Sequence, residues 1–366
     1  MAQDQEQLTA QNQEQLAKGL AEKIEKLAAG REIKIMHVCG THEYTITKSG
    51  IRSLLPPNVK VVMGPGCPVC VTPQSEIDAI VELAEQGKII CTYGDLLRVP
   101  GTKSSLYDSV GDIRIVQSIA QAVDIARQNP SKEVVFMAVG FETTAPTTAA
   151  ILLASPPDNF SVLVSHRLVP PAMKWLMEQG EASLSGFLLP GHVCTIAGTK
   201  EYEAFKVPQV IAGFEPLEVM YGLYLLVKQV VEGRAEVENA YPRAVKPEGN
   251  VKALHMMSEV FDVCDIVWRG FPSIPGSGLK LKPQYEKFDA LKKFGVELVD
   301  RKVTTGCLCN QLLRGIKEPT DCRLFGKACT PLKPVGACMV SSEGACRIWY
   351  TYGRAHRIAG NAVIKK

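Results

Sequence analysis

The chain has 366 residues, 46% of them apolar and 22% charged, with a formal net charge of +3. That length exceeds one ordinary core and predicts two or three domains. The small charge, with no Lys/Arg stripe interleaved with aromatics, argues against a nucleic-acid partner. The most apolar stretch, Val219 to Val231, is broken by Lys228 and is too short to cross a bilayer, so no membrane partner is expected.

Residues 1–30 are polar, with Leu16, Leu20, Ile24 and Leu27 at helical spacing. This predicts an N-terminal polar helix ending at Gly30. The segment is Gln/Glu-rich and has no apolar signal-like run, so a cytoplasmic location is expected.

From residue 33 a rhythm begins. Short apolar runs start near Ile33, Val59, Lys88, Ile113, Val134, Ser161, Gly186 and Gln209. Helix-compatible segments lie between them, among them Ser75–Gln86, Val116–Gln128 and Pro171–Gln179. Strand and helix alternating at this pitch argue for βα units and parallel sheets. Gly-Phe-Glu recurs at 140–142 and 213–215, and Pro-Gly followed by Val-Cys recurs at 65–70 and 190–194. The fold class read from this is α/β: two similar parallel-sheet lobes, 31–130 and 131–240, with a central cleft. Residues 241–366 supply a linker and a smaller cysteine-rich domain. Within that region Ala253–Val260 reads as helix, Cys264–Trp268 as strand, Phe271–Gly278 as loop and Tyr285–Phe294 as helical.

The residues that follow the strands carry the chemistry. Ligands of open α/β sheets bind beyond the carboxyl ends of the strands. Here those ends hold Cys39-Gly-Thr-His-Glu43 and Gly64-Pro-Gly-Cys-Pro-Val-Cys70. Cys67 and Cys70 form a C-x-x-C pair on a proline-stiffened turn, suited to dithiol–disulfide cycling or to a soft metal. Cys39 offers a further thiolate. His42 could act as ligand, base or hydrogen-bond donor, and Glu43 is placed to orient its ring. Such a cysteine-rich, partly open site suits iron in a low oxidation state.

The chain has twelve cysteines, and they cluster. Cys307, Cys309, Cys322, Cys329, Cys338 and Cys346 crowd into forty residues rich in Gly and Pro. Such a segment buries little apolar surface, and an iron–sulfur cluster on four thiolates is the simplest way to hold it together. Cys322, Cys329 and Cys346 would supply three ligands, and Cys307 or Cys309 the fourth. The thiol left over would sit beside the cluster with Cys338 as a possible partner. A structural zinc site is the rival, but paired C-x-x-C spacing is absent. Cys91, Cys194 and Cys264 stand alone and read as small buried hydrophobes. No phosphate-binding loop, dinucleotide fingerprint, G-x-S-x-G elbow or H-E-x-x-H pair occurs.

Taken as a set, Cys39-Gly-Thr-His-Glu, Gly64-Pro-Gly-Cys-Pro-Val-Cys, Gly140-Phe-Glu-Thr-Thr-Ala-Pro, Pro190-Gly-His-Val-Cys and Met339-Val-Ser-Ser-Glu-Gly-Ala-Cys346 resemble the hydrogenase maturation factor HypD family. The likeness runs from about residue 31 to Tyr352. It implies two α/β lobes and a third domain with a [4Fe-4S] cluster. It further implies a scaffold that assembles the Fe(CN)2CO unit of [NiFe]-hydrogenase together with a small HypC-type chaperone. Cyanide would come from a HypE-type donor. Cys39 would be the iron ligand, and His42, Cys67 and Cys70 accessory residues. A stand-alone thiol–disulfide oxidoreductase driven by the cluster is the alternative reading of the same thiols. A zinc-stabilised interaction protein is a third.

Overall fold

The computed structural model describes residues 2–301 and 305–353. Every apolar run named above becomes a strand: β1 (Ile33–His37), β2 (Val59–Met63), β3 (Ile89–Thr92), β4 (Asp112–Ile115), β5 (Val134–Gly140), β6 (Phe160–His166), β7 (Gly186–Pro190), β8 (Gln209–Ala212) and a short β9 (Val237–Asn239). Val134 to Gly140 is buried at every position, as expected for an inner strand covered on both faces. All pairings among these strands are parallel.

The strands form two sheets, ordered β2-β1-β7-β8-β9 and β4-β3-β5-β6. This divides the sequence differently from the expected halves 31–130 and 131–240. The chain begins the first sheet with β1 and β2, leaves to build the whole second sheet, and returns with β7 beside β1. The return is fixed by a backbone pair: Ser185 N donates to Lys34 O at 2.8 Å, and Lys34 N donates to Ser185 Oγ at 3.0 Å. βα units at constant pitch carry no mark of which sheet a strand will join. Both sheets send the carboxyl ends of their strands toward one shared cleft.

The N-terminal helix runs Ala2–Leu27 and packs along the helix Pro216–Glu232. Ile24 is fully buried there, whereas Leu16 stays exposed. Past the second helix Val251–Val260, two antiparallel strands form a hairpin, β10 (Phe261–Val267) and β11 (Ser273–Leu281). Most of the expected 271–278 loop is therefore strand. Pro275 and Gly276 survive in it because a two-stranded ribbon leaves one edge unpaired. Trp268, fully buried at the hairpin base, donates from Nε1 to Ser277 Oγ at 2.9 Å and stacks on Phe141. The expected helix 285–294 is a 3-10 stretch, Pro283–Phe288, followed by a short helix, Ala290–Phe294. The cysteine-rich segment has few regular elements, as expected: a short helix, Cys309–Leu313, isolated 3-10 turns, and helix at 345–353.

One buried ion pair ties these parts together. Arg167, at the end of β6, binds Glu76 Oε1 at 2.8 Å and the Val267 carbonyl at 2.8 Å; both charged side chains are 1% exposed. Ser165 donates its hydroxyl to the other oxygen of Glu76. Arg167→Met would strand the Glu76 carboxylate in the core and is expected to cost about 3–5 kcal/mol. Adding Glu76→Leu should recover much of that loss, because no lone charge remains. Urea midpoints of the single and double variants would check this.

Candidate functional site

The two thiol loops are pressed together by backbone contacts. Gly64 N donates to His37 O at 2.8 Å, and Gly40 N donates to Gly66 O at 3.1 Å. A Cβ on Gly66 would collide with the backbone of Val38 and Cys39, so only glycine fits there. Beyond it Pro68 opens a single helical turn, Pro68–Val71, capped by Cys67. Cys67 and Cys70 are joined as a disulfide and are both fully buried.

Cys39 caps the helix Gly40–Lys48 and faces the cleft, a space of about 690 Å³. Among the described residues it is the one cysteine lining that space. Gly66, Pro68 and Val69 also line it, but the disulfide lies beneath them. Burial, and then the nearby Glu343 carboxylate, push the Cys39 thiol up to about 12, so it is protonated at neutral pH. Glu343 comes from the cysteine-rich segment and abuts Gly40. Its own carboxyl is pushed up to about 7 by burial and by the charge of Asp95.

His42 is fully buried and turns away from the cleft. Its Nε2 donates to the Gly213 carbonyl at 2.9 Å, and its ring lies against Phe214. Burial, with the influence of His37 next, pushes it down to about 3, so the ring is neutral, and among the described residues Nδ1 makes no hydrogen bond. Of the three roles expected for His42, donor is the one realised. Glu43 does not orient His42. It meets His37 Nε2 at 2.7 Å, Arg52 Nη2 at 2.7 Å, Thr47 Oγ1 at 2.6 Å and Trp349 Nε1 at 2.7 Å. Burial opposes its ionisation, but Arg52 and His37 outweigh that and hold the carboxyl well below the usual range. The Nδ1 of His37 meets the Cys39 carbonyl at 3.0 Å.

Across the cleft, His192 stacks on the other face of Phe214 at 3.8 Å, which places Phe214 between two imidazoles. Behind that wall sits a buried group: Glu142, Tyr202 and Cys194. Glu142 Oε1 accepts from Val169 N at 2.8 Å, Oε2 has no partner, and burial pushes the carboxyl up to about 8. Cys91 is buried like Cys194, and Cys264 is half-buried.

The terminal cysteines meet in one place. Cys309 shares thiol hydrogen bonds with both Cys307 and Cys338. Cys346 feels the charges of Cys309, Cys307, Cys329 and Cys322. Val335 N donates to Cys329 Sγ at 3.3 Å, and a Cβ on Gly336 would stand 2.6 Å from Cys307 Sγ. Among the described residues no three His, Cys, Asp or Glu side chains are close enough to hold a single ion. The donor set is all sulfur, buried and without carboxylates. That chemistry fits a multi-iron cluster, whose thiolates stand further apart than those of one zinc. The turn Ala337–Met339, which carries Cys338, packs on the disulfide helix Pro68–Val71. Arg269 links the two regions: its N and Nε donate to the Val71 and Thr72 carbonyls at 2.7 and 2.6 Å, and its charge is felt by Cys309, Cys338 and Cys307.

His37, Arg269, His192 and Glu343 were given no role by sequence reasoning. The last two lie inside motifs already singled out, at strand-end and cysteine-proximal positions. His37 ends an apolar strand directly before the Cys39 loop, which was a usable signal. Arg269 carried none.

Fold and site together define a two-sheet α/β protein with strand-end thiols beside a group of C-terminal cysteines. A family model for HypD, described as the hydrogenase formation hypA family, matches residues 15–353. A Methanocaldococcus jannaschii protein, whose name places it among hydrogenase expression/formation proteins, is 51% identical over 92% of this chain and 94% of its own. The hydrogenase maturation factor HypD2 of Bradyrhizobium diazoefficiens is 47% identical over 93% of this chain and 95% of its own. HypD of Cupriavidus necator is 46% identical over 89% and 91%. The chain belongs to the HypD family of hydrogenase maturation factors. The family match begins at residue 15, so half of the N-terminal helix lies inside a likeness expected to start near 31.

Two outcomes follow from the buried groups. Iodoacetamide should modify Cys39 of the metal-free protein at neutral pH roughly a thousandfold more slowly than an ordinary cysteine, because thiolate fraction sets the rate; mass spectrometry would follow it. Glu142, pushed up to about 8 from 4.5, is held neutral in the fold, so its contribution to stability is complete below about pH 4.5 and is lost as pH rises through 8. Glu142→Gln keeps an oxygen for Val169 N and should melt higher than the parent near neutral pH. That difference should vanish below about pH 4.5.

Proposed function

We propose that the chain is the scaffold on which the Fe(CN)2CO unit of [NiFe]-hydrogenase is assembled, in the cytoplasm, with a small HypC-type chaperone as partner and cyanide received from a HypE-type donor. The observation that carries this reading is the position of Cys39: a cleft-lining thiol where the carboxyl ends of two parallel sheets converge. Iron is the cargo, and Cys39 is its ligand. The buried thiol gives up its proton only when a cation arrives to stabilise the thiolate. Glu343, alongside with a carboxyl near neutrality, is the nearby group suited to take that proton. His192, stacked on Phe214, lines the facing wall.

Cys307, Cys322, Cys329 and Cys346 would hold a [4Fe-4S] cluster, which supplies one-electron chemistry when bound. Cys309 and Cys338, already sharing a hydrogen bond, remain as a thiol pair against the disulfide helix. The Cys67–Cys70 disulfide favours a second reading, a cluster-driven thiol–disulfide oxidoreductase. Against it, both sulfurs are fully buried under Pro68 and Val69, so another protein's disulfide has no path to them.

The test is an infrared spectrum of protein purified anaerobically from hydrogenase-producing cells, beside its Cys39→Ala variant. Cyanide and carbon monoxide bands on iron are expected in the parent and not in the variant. If the parent lacks the bands despite an intact cluster and a loaded partner, the scaffold reading fails and the oxidoreductase reading takes its place.

A further inference from the structure

A second surface, which shares no residue with the cleft, lies over the cysteine cluster. The loop that follows Cys329 carries Leu332, 85% exposed, and Lys333. It faces the segment 98–108 across a groove of about 260 Å³. There the Arg98 guanidinium lies 3.6 Å above the Tyr107 ring, itself 53% exposed. Between Cys322 and Pro334 the chain holds Arg323, Lys327 and Lys333, all exposed, and no acidic residue. These three charges equal the net charge of the entire chain. Among the described residues, none of Arg98, Arg323, Lys327 and Lys333 forms an ion pair. The acid nearest in the groove, Asp108, is engaged by Ser105. Lys103 marks the edge, where Glu82, Glu85 and Glu297 begin a different groove.

The loop is also thin. Val335, directly after Pro334, donates its N–H to Cys329 Sγ, and Gly336 backs onto Cys307 Sγ. Whatever rests on Leu332 is one loop's thickness from sulfur. An open rim with an apolar tip does not enclose a small anion. It does match the small, charge-steered interfaces of transient redox encounters.

We propose that this face docks a small acidic protein that carries one electron, Leu332 seating in its apolar centre and the groove cations Arg98 and Lys333 meeting its carboxylates. The carrier loses one electron and the group held by the neighbouring cysteines gains it; no bond changes and no proton moves. Opening the Cys67–Cys70 disulfide consumes two electrons and two protons, so it needs two such encounters. The inference rests on the cluster reading given under Proposed function.

The probe is an acidic [2Fe-2S] ferredoxin, titrated calorimetrically into the anaerobically purified full chain at low and physiological salt, with iron and sulfide content measured separately. Binding should weaken with salt, and Lys333→Glu and Leu332→Asp should each weaken it about tenfold while leaving iron content and the HypC-type partner's binding intact. Both side chains are exposed, so the variants keep the fold. Unchanged ferredoxin binding in both variants overturns the proposal, as does a loss confined to the HypC-type partner. Charge-sensitive ferredoxin binding by a chain that never acquires iron would uphold the docking face and sink the cluster reading instead.

Discussion

The site depends on a place where two backbones touch. Gly66 lies against Val38 and Cys39 so closely that a single methyl group would separate them. Neighbouring parallel strands stand about 4.8 Å apart, and their following turns normally diverge to make room for side chains. Here β1 and β2 end in turns that converge instead, stitched by Gly64 N to His37 O and Gly40 N to Gly66 O. As a result Cys39 lies at the cleft floor directly above the disulfide. A larger residue at 66 would move the thiol, the disulfide or both.

Around this contact, charge is separated by depth. Glu43, His37 and Arg52 form a hydrogen-bonded knot inside the first sheet, and Trp349 of the C-terminal helix joins it through its indole N–H. That knot holds the Cys39 carbonyl through His37 and holds the terminal helix through Trp349, so one carboxylate braces both sides of the site. The groups facing the cleft are the reverse case. Cys39 is kept as a thiol and Glu343 near its midpoint. The cleft also holds the Asp95 carboxylate, bound by Ser341 and Ser342, and an entering cation can be met by release of the Cys39 proton.

Strand positions were legible because most runs are buried, as β3, β5, β7 and β8 are at every position, and because several end at a Gly, Pro or Cys turn; β4 is only half-buried. Sheet membership was not legible, since β3 through β6 look the same whether they extend the first sheet or form another. The Glu43 assignment failed for a geometric reason. Adjacent residues on a helix point about 100° apart, so Glu43 and His42 could not face each other; the carboxylate turned toward β1 and the imidazole toward Gly213. The β11 strand was hidden by Pro275 and Gly276, turn-formers that a two-stranded edge tolerates. The crowding of cysteines was legible from spacing alone, but the expectation that this segment buries little apolar surface was not met: Leu312, Leu313, Ala337, Met339 and Ile348 are buried, and most of them join the main core.

The interleaved topology gives the disulfide a location with consequences. Residues 64–74 are where the chain leaves the first sheet to build the second, and Cys67 and Cys70 lie within that crossing. Arg269, from the hairpin, grips the two carbonyls that follow Cys70 and reaches the Pro100 carbonyl as well. The turn that carries Cys338 packs on the same short helix. First sheet, second sheet, hairpin and cysteine segment therefore all contact one helical turn. A bond made or broken between those two sulfurs changes an element that both sheets, the hairpin and the cysteine segment share, next to Cys39 and the cleft.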